Sequence, residues 1–291
     1  MDIEGIKMQS FNKSHNPDVR DAPGVIMIVL DGCRPDGLQK ARAPNIDWIM
    51  ENGAYTLKAQ TIFPPITFPC HMSMLFGVKP LRHGIYGNYS ANIDRDFQYS
   101  IFDLAHISGR KVASFYEWER FRNLSTPSAL EFAYYRRCSI DPEASMVIAH
   151  ACADYIKHDS PDLCFINLGS IDKVGHEKGW MSREYISQIE IIDRAVGLII
   201  ETLRITGRMD NYYFIVLSDH GGVGKDHEMS TMEELTIPWM VSGPGIKKGC
   251  EIKEDVYIYD TAPTIAQLLR LPVKVFWHGK VIKEIFDQNT G

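Results

Sequence analysis

Residues 25–32 read VIMIVLDG, a continuous apolar run that ends in an aspartate and a glycine. The run is rich in β-branched residues and does not alternate with polar ones, which predicts a strand buried on both faces of a sheet. Three further runs have the same character: LCFINL at 163–168, YFIVL at 213–217 and IPWMV at 237–241. Strands of this kind are typical of a mostly parallel sheet with helices on both faces.

The segments between these runs contain the helices that such a sheet needs. From Arg183 to Thr206, apolar residues recur at steps of three and four, with Ser182 as an N-cap and Gly207 as a stop. Two more helices are expected to begin near Thr67 and Thr261. The sequence therefore predicts a three-layer α/β/α fold with a mostly parallel central sheet.

Length and composition indicate one globular domain. The chain has 291 residues, of which 45% are apolar and 23% charged, and this balance excludes disordered and fibrous classes. Because no repeat or linker is visible, we expect a single domain over residues 23–291, preceded by an extension at 1–22. Residues 88–144 mix aromatic and charged side chains, and we expect them to form a small insertion that shapes the substrate pocket.

Charge and cysteine usage limit the partners and the compartment. A net charge of −6 argues against a nucleic-acid polymer or an anionic membrane as the partner. The six cysteines form no CxxC pair, which favours a reducing compartment. The N-terminus lacks the apolar run of a signal peptide, and no stretch approaches the roughly 20 apolar residues that span a bilayer. These features predict a cytoplasmic protein.

Carboxylates follow three of the four predicted strands. Asp31 and Asp219 come one and two residues after their strands, and Asp172 comes four residues after the run at 163–168. In open α/β sheets, ligands bind outside the carboxyl ends of the strands, so these side chains are expected to converge on one crevice. Each aspartate taken alone is more often a cap or turn residue.

Histidines accompany two of these aspartates. His176 follows Asp172 by four residues, His220 directly follows Asp219, and His227 comes seven residues later. Aspartate and histidine together, with no nearby thiolate, suit Zn²⁺ or Mn²⁺. A lone histidine is usually a surface or core residue, and it is the joint occurrence that indicates a metal site.

Thr67 starts a predicted helix, where it has two interpretations. Its hydroxyl could cap the helix. Alternatively, it could act as a nucleophile at a helix N-terminus that favours a phosphoryl oxygen, provided that a base or a metal lowers its pKa. The second interpretation therefore depends on the metal site.

Taken in order, these motifs resemble those of the alkaline phosphatase superfamily, and most closely its type I phosphodiesterase/nucleotide pyrophosphatase branch. The resemblance runs from about residue 23 to residue 285, and it implies an alkaline phosphatase-like fold. The motifs that carry it are Asp31-Gly32, Thr67-Phe68-Pro69, Asp172-x-x-x-His176, Ser218-Asp219-His220-Gly221 and Asp260-Thr261-Ala262-Pro263.

The resemblance also implies two divalent metal ions, Zn²⁺ or alternatively Mn²⁺. Four residues would hold one ion: Asp31, Thr67, Asp219 and His220. Asp172, His176 and one further histidine would hold the other, and for that last position we favour His227 over His278. Thr67 would be the nucleophile of a phosphate ester hydrolase that passes through a covalent phosphothreonine.

The substrate implied by the resemblance is a small phosphodiester or nucleotide pyrophosphate. Family members are expected to hold a phosphoryl oxygen with an asparagine three residues after the nucleophile, where this chain has Cys70, a weaker donor. We therefore expect Cys70 at the substrate-binding position.

Other functions remain open from the sequence. A phosphomonoesterase or phosphomutase would need further positive groups, for which Arg34 and Lys173 are candidates. A sulfatase is disfavoured, because the oxidisable Cys or Ser with its following Pro and Arg is replaced by the segment from Thr67 to His71. A catalytically silent scaffold of the same fold is the remaining alternative, and the sequence does not predict the oligomeric state.

Overall fold

The computed structural model describes residues 22–89, 99–137, 143–271 and 277–287. The extension expected at 1–22 lies outside these ranges except for Ala22, which is buried. Within them, no helix has both the length and the apolar character needed to cross a membrane.

A single sheet of eight strands forms the centre of the described structure. The strands are β1 (Gly24–Leu30), β2 (Gly53–Gln60), β3 (Val112–Tyr116), β4 (Phe132–Tyr135), β5 (Leu163–Leu168), β6 (Tyr212–Leu217), β7 (Thr236–Ser242) and β8 (Cys250–Glu251). They lie in the order β4-β3-β5-β1-β6-β7-β2-β8. Neighbours from β4 to β6 are parallel, whereas β7 is antiparallel to both β6 and β2. The expected mostly parallel sheet is confirmed.

Helices cover both faces of this sheet. They are α1 (Pro35–Lys40), α2 (Pro44–Glu51), α3 (Thr67–Phe76), α4 (Pro80–His83), α5 (Ile101–Ile107), α6 (Ala144–His158), α7 (Ser170–Lys178), α8 (Arg183–Ile205), α9 (Met232–Leu235) and α10 (Thr261–Leu268). Apolar residues of α3, α5 and α10 join the core on one face, and those of α1, α2, α6 and α8 join the core on the other. The three-layer α/β/α architecture is therefore confirmed.

Strand β1 shows why a continuous apolar run was the correct signal. Its side chains alternate between the two cores: Val25, Met27 and Val29 face one, and their neighbours face the other. Both sets are fully buried. A strand covered on both faces needs apolar residues at every position.

The segment at 88–144 is built into the sheet over the part that the structure describes. It contributes β3, β4 and α5, together with short 3₁₀ turns at Glu119–Asn123 and Pro127–Ala129. Strand β3 pairs with β5, so this part of the segment extends the central sheet. That residues 88–144 are a small insertion that shapes the substrate pocket stays a prediction.

Helix α3 begins in a way that leaves the Thr67 hydroxyl available. The N-cap residue is Ile66, and Thr67 is the first helical residue. The helix ends at Gly77, whose φ of 65° is the left-handed conformation that favours glycine. The capping interpretation of Thr67 is thus wrong.

A buried acid links β3 to the helices at the carboxyl end of the sheet. One carboxylate oxygen of Glu117, Oε2, accepts hydrogen bonds from the Gly169 backbone N–H and from Ser145 Oγ. Gly169 is the N-cap of α7, and Ser145 lies in the first turn of α6. Burial raises the pKa of Glu117 to about 7, although these hydrogen bonds oppose the shift.

We predict that the ionisation of Glu117 lowers the free energy of unfolding as the pH rises. Because the folded protein holds this proton more tightly than the unfolded chain, the free energy of unfolding should decrease between about pH 4.5 and 7, by about 3 kcal/mol. Glu117→Gln keeps an acceptor and removes this titration, so its stability should fall by about 3 kcal/mol less than that of the wild type over this range, while Asp31 and Asp219 contribute equally to both proteins. Urea unfolding of the chelator-treated protein across this range measures the difference. Glu119, an exposed neighbour, supplies the control: the free energy of unfolding of Glu119→Gln should change with pH as that of the wild type does. If the free energies of unfolding of Glu117→Gln and the wild type change with pH in parallel, the prediction is wrong.

Candidate metal centre

Three aspartates converge where β1, β5 and β6 end. Asp31 follows β1 directly, Asp219 follows β6 by two residues, and Asp172 lies in the first turn of α7, just after β5. Strands β5 and β6 flank β1 in parallel, so their carboxyl ends lie side by side. This confirms the expected convergence of the three carboxylates.

Asp31 and Asp219 are each anchored by one oxygen and leave the other without a partner. Asp31 Oδ2 accepts a hydrogen bond from Asn167 Nδ2 at 3.2 Å, and Asp219 Oδ1 accepts one from the Gly32 N–H at 3.0 Å. The second oxygens, Asp31 Oδ1 and Asp219 Oδ2, are buried and unpaired, as is Asp172 Oδ1. Unpaired buried acceptors are costly, and a bound cation would satisfy all three.

The electrostatics of these carboxylates also fit a cation. Burial, followed by the negative charge of neighbouring aspartates, raises the pKa of Asp31 well above its usual range. Burial likewise raises the pKa of Asp219 to about 8. Like charges disfavour simultaneous ionisation, and a divalent cation among them reverses that effect.

Three histidines are oriented with one ring nitrogen toward the carboxylates. In each, Nδ1 donates to a backbone carbonyl: His220 to Gly221 at 2.8 Å, His227 to Pro65 at 2.8 Å and His176 to Lys225 at 2.9 Å. A carbonyl oxygen only accepts, so Nδ1 carries the proton and the neutral ring keeps a lone pair on Nε2. This is the orientation of metal-binding histidines. Burial also lowers the pKa of His220, which favours its neutral form.

The first predicted ligand set is brought together around His220. Its Nε2 atom lies 3.1 Å from Thr67 Oγ1, 3.3 Å from Asp219 Oδ2 and 3.6 Å from Asp31 Oδ1. These atoms come from four separate parts of the chain. Their mutual distances suit side chains that share one ion.

The second predicted set is brought together around Asp172. Its Oδ1 atom lies 3.5 Å from His176 Nε2 and 3.7 Å from His227 Nε2. The same aspartate also offers an oxygen within 4.8 Å of ligand atoms of Asp31 and His220, so the two sets adjoin. The alternative ligand, His278, is engaged elsewhere, because its Nδ1 accepts from the Lys79 N–H at 3.0 Å.

Two glycines let the loop after β6 pack closely beside this site. A Cβ atom on Gly222 would lie 2.2 Å from the Trp180 ring, and one on Gly221 would lie 2.0 Å from the Glu233 carbonyl oxygen. The Trp180 indole N–H in turn donates to Gly32 O at 2.9 Å. Only glycine allows the loop to approach this closely.

The structure does not support direct substrate contact by Cys70. Its side chain is fully buried, and its Sγ accepts a hydrogen bond from Thr61 Oγ1 at 3.2 Å. A residue that the sequence interpretation missed lies closer to the nucleophile: Asn88 Oδ1 accepts from the Phe68 N–H at 3.0 Å. Phe68 follows Thr67 directly, so the Asn88 amide lies at the N-terminus of α3. Its position after Gly87 in a loop offered no periodic signal.

The two cations considered for monoester recognition are engaged with other partners. Arg34 donates from Nε and Nη2 to Asp36 at 2.9 and 2.7 Å, and from Nη1 to Gly222 O at 2.9 Å. The Lys173 ammonium lies 3.6 Å from Glu177 in an exposed pair. Neither side chain therefore supplies an unengaged positive charge to the site.

Comparisons with known proteins agree with this geometry. The family described as Type I phosphodiesterase / nucleotide pyrophosphatase matches residues 25–114 and 109–240. Ectonucleotide pyrophosphatase/phosphodiesterase family member 3 of Bos taurus is 28% identical over 226 residues, which cover 70% of this chain and 25% of the relative. Venom phosphodiesterase 2 of Crotalus adamanteus is 24% identical over 287 residues, which cover 90% of this chain and 35% of the relative. The chain thus spans between a quarter and about a third of these relatives.

A solved structure shares the fold. An inactive form of murine ectonucleotide pyrophosphatase/phosphodiesterase 5 in complex with AMP superposes with a TM-score of 0.76. The two are 16% identical, and the match covers 91% of this chain and 100% of the other. At this identity the likeness establishes the fold alone.

We predict that His227, and not His278, contributes to metal binding. His227→Ala should weaken Zn²⁺ binding at one of two sites by at least about 100-fold, because a ligand with an oriented second nitrogen is lost. His278→Ala is the matched control and should bind two ions as the wild type does. Competition with a chromophoric chelator gives affinity and stoichiometry without any assay of activity. If His278→Ala loses an ion and His227→Ala does not, the assignment is wrong.

Proposed function

The chain belongs to the type I phosphodiesterase/nucleotide pyrophosphatase family, and from this premise we propose that it is a two-metal hydrolase of phosphodiester or nucleotide pyrophosphate bonds, with Thr67 as the nucleophile. The substrate would be a small-molecule phosphate ester. The ligands of one ion would be Asp31, Thr67, Asp219 and His220, and those of the other would be Asp172, His176 and His227.

One observation carries the proposal: the Thr67 hydroxyl lies 3.1 Å from His220 Nε2, beside carboxylate oxygens that have no other partner. The hydroxyl is not used as a helix cap, since Ile66 holds that position. Thr67 keeps 8% of its surface exposed, so a substrate can reach it. A hydroxyl in this setting has no evident packing role.

In the proposed reaction, the metal ions would activate the phosphoryl group, the nucleophile and water, and the residues of the chain would orient the nucleophile. Zn²⁺, or alternatively Mn²⁺, would polarise phosphoryl oxygens and lower the pKa of the attacking hydroxyl and water. The chain holds the nucleophile at the first residue of α3, where the helix dipole favours an anionic phosphoryl group. This arrangement orients Thr67 before substrate binds.

Asn88 is the side chain best suited to hold a phosphoryl oxygen. Its Oδ1 is fixed by the Phe68 N–H, which leaves its NH₂ group as a donor beside the nucleophile. Pro69 has no N–H, so the start of α3 offers few backbone donors of its own. We therefore assign to Asn88 the phosphate-binding role that the sequence suggested for Cys70.

The reaction would then proceed by two displacements. Thr67 Oγ1 forms a bond to phosphorus while the bond from phosphorus to the leaving oxygen breaks, and the leaving oxygen takes up a proton. The phosphorus of the resulting phosphothreonine still carries the other substituent of the diester or anhydride. Water then attacks this phosphorus, releases the substituted phosphate as a phosphomonoester and restores the Thr67 hydroxyl. The net reaction consumes one water for each ester or anhydride bond.

The engagement of Arg34 and Lys173 favours a diester or anhydride over a monoester. A monoester presents an additional anionic oxygen, which enzymes usually meet with a charged donor. In the described structure both candidate cations are bound to acidic neighbours.

A cytoplasmic location, which the cysteine pattern favoured, remains part of the proposal.

We predict a preference for diesters in the Zn²⁺-reconstituted protein. An aryl phosphodiester and a nucleotide pyrophosphate should be hydrolysed at least about 100-fold faster than an aryl phosphomonoester or an aryl sulfate, since neither Arg34 nor Lys173 is free to make a charge-assisted contact with an additional anionic oxygen on the scissile group. Chromogenic release and phosphate assays with and without chelator measure this. A faster monoester rate would replace the proposal with a phosphomonoesterase, and chelator-resistant or absent activity on all four would favour a silent scaffold.

We also predict that Thr67 becomes phosphorylated during turnover. Thr67→Ala should lower kcat to below about a thousandth of the wild-type value, because the attacking oxygen is lost, and the protein should still unfold cooperatively on heating, because a single methyl group is the other part removed. Thr67→Ser retains a hydroxyl and should keep measurable activity. Intact mass spectrometry of protein acid-quenched during turnover of a phosphodiester should show one added phosphoryl group, with the substituent that it retains, in the wild type and no addition in Thr67→Ala. Wild-type rates in Thr67→Ala would exclude the covalent route.

A further inference from the structure

Arg120 lies against two residues that adjoin the proposed site. Its guanidinium stands 5.9 Å from the centre of the Phe68 ring and 5.1 Å from the centre of the Tyr89 ring. Phe68 follows Thr67, and Tyr89 follows Asn88, whose amide accepts the Phe68 N–H. The guanidinium therefore contacts the two residues, Phe68 and Tyr89, that are adjacent in the chain to the nucleophile Thr67 and to the proposed phosphate-binding residue Asn88.

The two rings define the environment of this cation. Phe68 is fully buried, with Trp118 packed edge-on at 6.0 Å, whereas Tyr89 is 83% exposed. Phe68 thus serves as a platform under the guanidinium and has no face open to a ligand. Aromatic faces attract a cation and restrain its plane, while the exposed side stays accessible to solute.

Arg120 also differs from the other cations near the site in its charge partners. The adjacent acid, Glu119, pairs with Arg122 at 2.7 Å. Within residues 22–89, 99–137, 143–271 and 277–287, Arg120 forms no ion pair with a carboxylate, whereas Arg34 is bound to Asp36. A half-buried guanidinium that forms no ion pair in the part of the chain that the structure describes suits the planar, bidentate recognition of a phosphate group.

We propose that Arg120 is a specificity-determining residue that binds a second anionic phosphoryl group of the substrate. The inference rests on the proposed function and narrows it: the favoured substrates are those in which another charged phosphoryl group adjoins the scissile phosphorus. The residues that hold the metal ions and the nucleophile act on the scissile group, and Arg120 acts on its neighbour.

Two substrates that share a nucleoside test this role. One is the aryl ester of a nucleoside 5′-monophosphate, with a single phosphoryl group, and the other is the nucleoside 5′-triphosphate. Arg120→Gln should lower kcat/KM for the triphosphate by about 10- to 100-fold, mainly through KM, as expected for a lost charge-assisted contact. For the aryl ester the change should stay within about 2-fold. Arg120→Lys keeps the charge and should recover part of the lost kcat/KM for the triphosphate. Arg122 is a neighbouring exposed arginine, and Arg122→Gln should leave kcat/KM unchanged for both substrates.

Binding gives a readout that does not depend on turnover when the diphosphate probe carries a methylene group in place of its bridging oxygen and so has no anhydride bond to cleave. Calorimetry with the Zn²⁺-loaded protein should show that the wild type binds this nucleoside diphosphate analogue more tightly than the monophosphate, and that Arg120→Gln removes the difference. Equal losses on both substrates, or an unchanged diphosphate affinity, would overturn the role of Arg120. If the wild type hydrolyses neither substrate, the proposed function fails, while calorimetry still decides whether Arg120 recognises the second phosphoryl group.

Discussion

Repulsion among the buried carboxylates of Asp31, Asp172 and Asp219 is the constraint on which this end of the molecule depends. Burial, and after it the negative charge of neighbouring aspartates, raises the pKa of Asp31 and Asp219, so each gains a proton more readily in the absence of a cation. The fold offsets part of this cost with the Gly32 N–H and the Asn167 amide, but each of these satisfies only one oxygen. The remaining oxygens lie near the Nε2 atoms of the histidines. In each of these rings the proton is on Nδ1, which donates to a backbone carbonyl. An arrangement of this kind is stable when positive charge lies between the carboxylates.

The parts of the fold that sequence predicted well are those whose signals are local. A strand buried on both faces must be apolar throughout, so β1, β5, β6 and β7 were recognised within one residue at each end. Strand β2 was missed because polar residues at partly exposed positions interrupt its apolar pattern. Strand β4 was missed because it is a run of only four residues, mostly exposed, inside a segment of mixed aromatic and charged side chains. Their place in the sheet is set by pairing with strands distant in sequence, which no local pattern encodes.

The same distinction applies to the site. Asp31, Asp172, Asp219 and His220 lie at or soon after strand ends, and parallel topology brings these ends together, so strand recognition was sufficient to expect that the carboxylates converge. The division into two ligand sets that include Thr67, His176 and His227 was implied by the family resemblance. Asn88 and Cys70 show the limit of this reasoning. Cys70 lies one turn into α3 and points into the core, whereas Asn88 reaches the start of α3 from a loop 20 residues away through one hydrogen bond to Phe68. Spacing along the chain does not predict such a contact, because it depends on how the loop returns to the helix.

Phe68 therefore joins two functions that the fold otherwise keeps apart. Its backbone N–H fixes Asn88 beside the nucleophile, and its ring supports the Arg120 guanidinium. The metal-ligand cluster is carried by β1, β5 and β6 at the centre of the sheet, where exchange of residues is constrained by burial. The groups that would distinguish substrates are carried by the loop around Asn88 and by the segment around Arg120, which follows β3. A change in substrate preference can then arise in these segments while the central carboxylates and histidines stay in place.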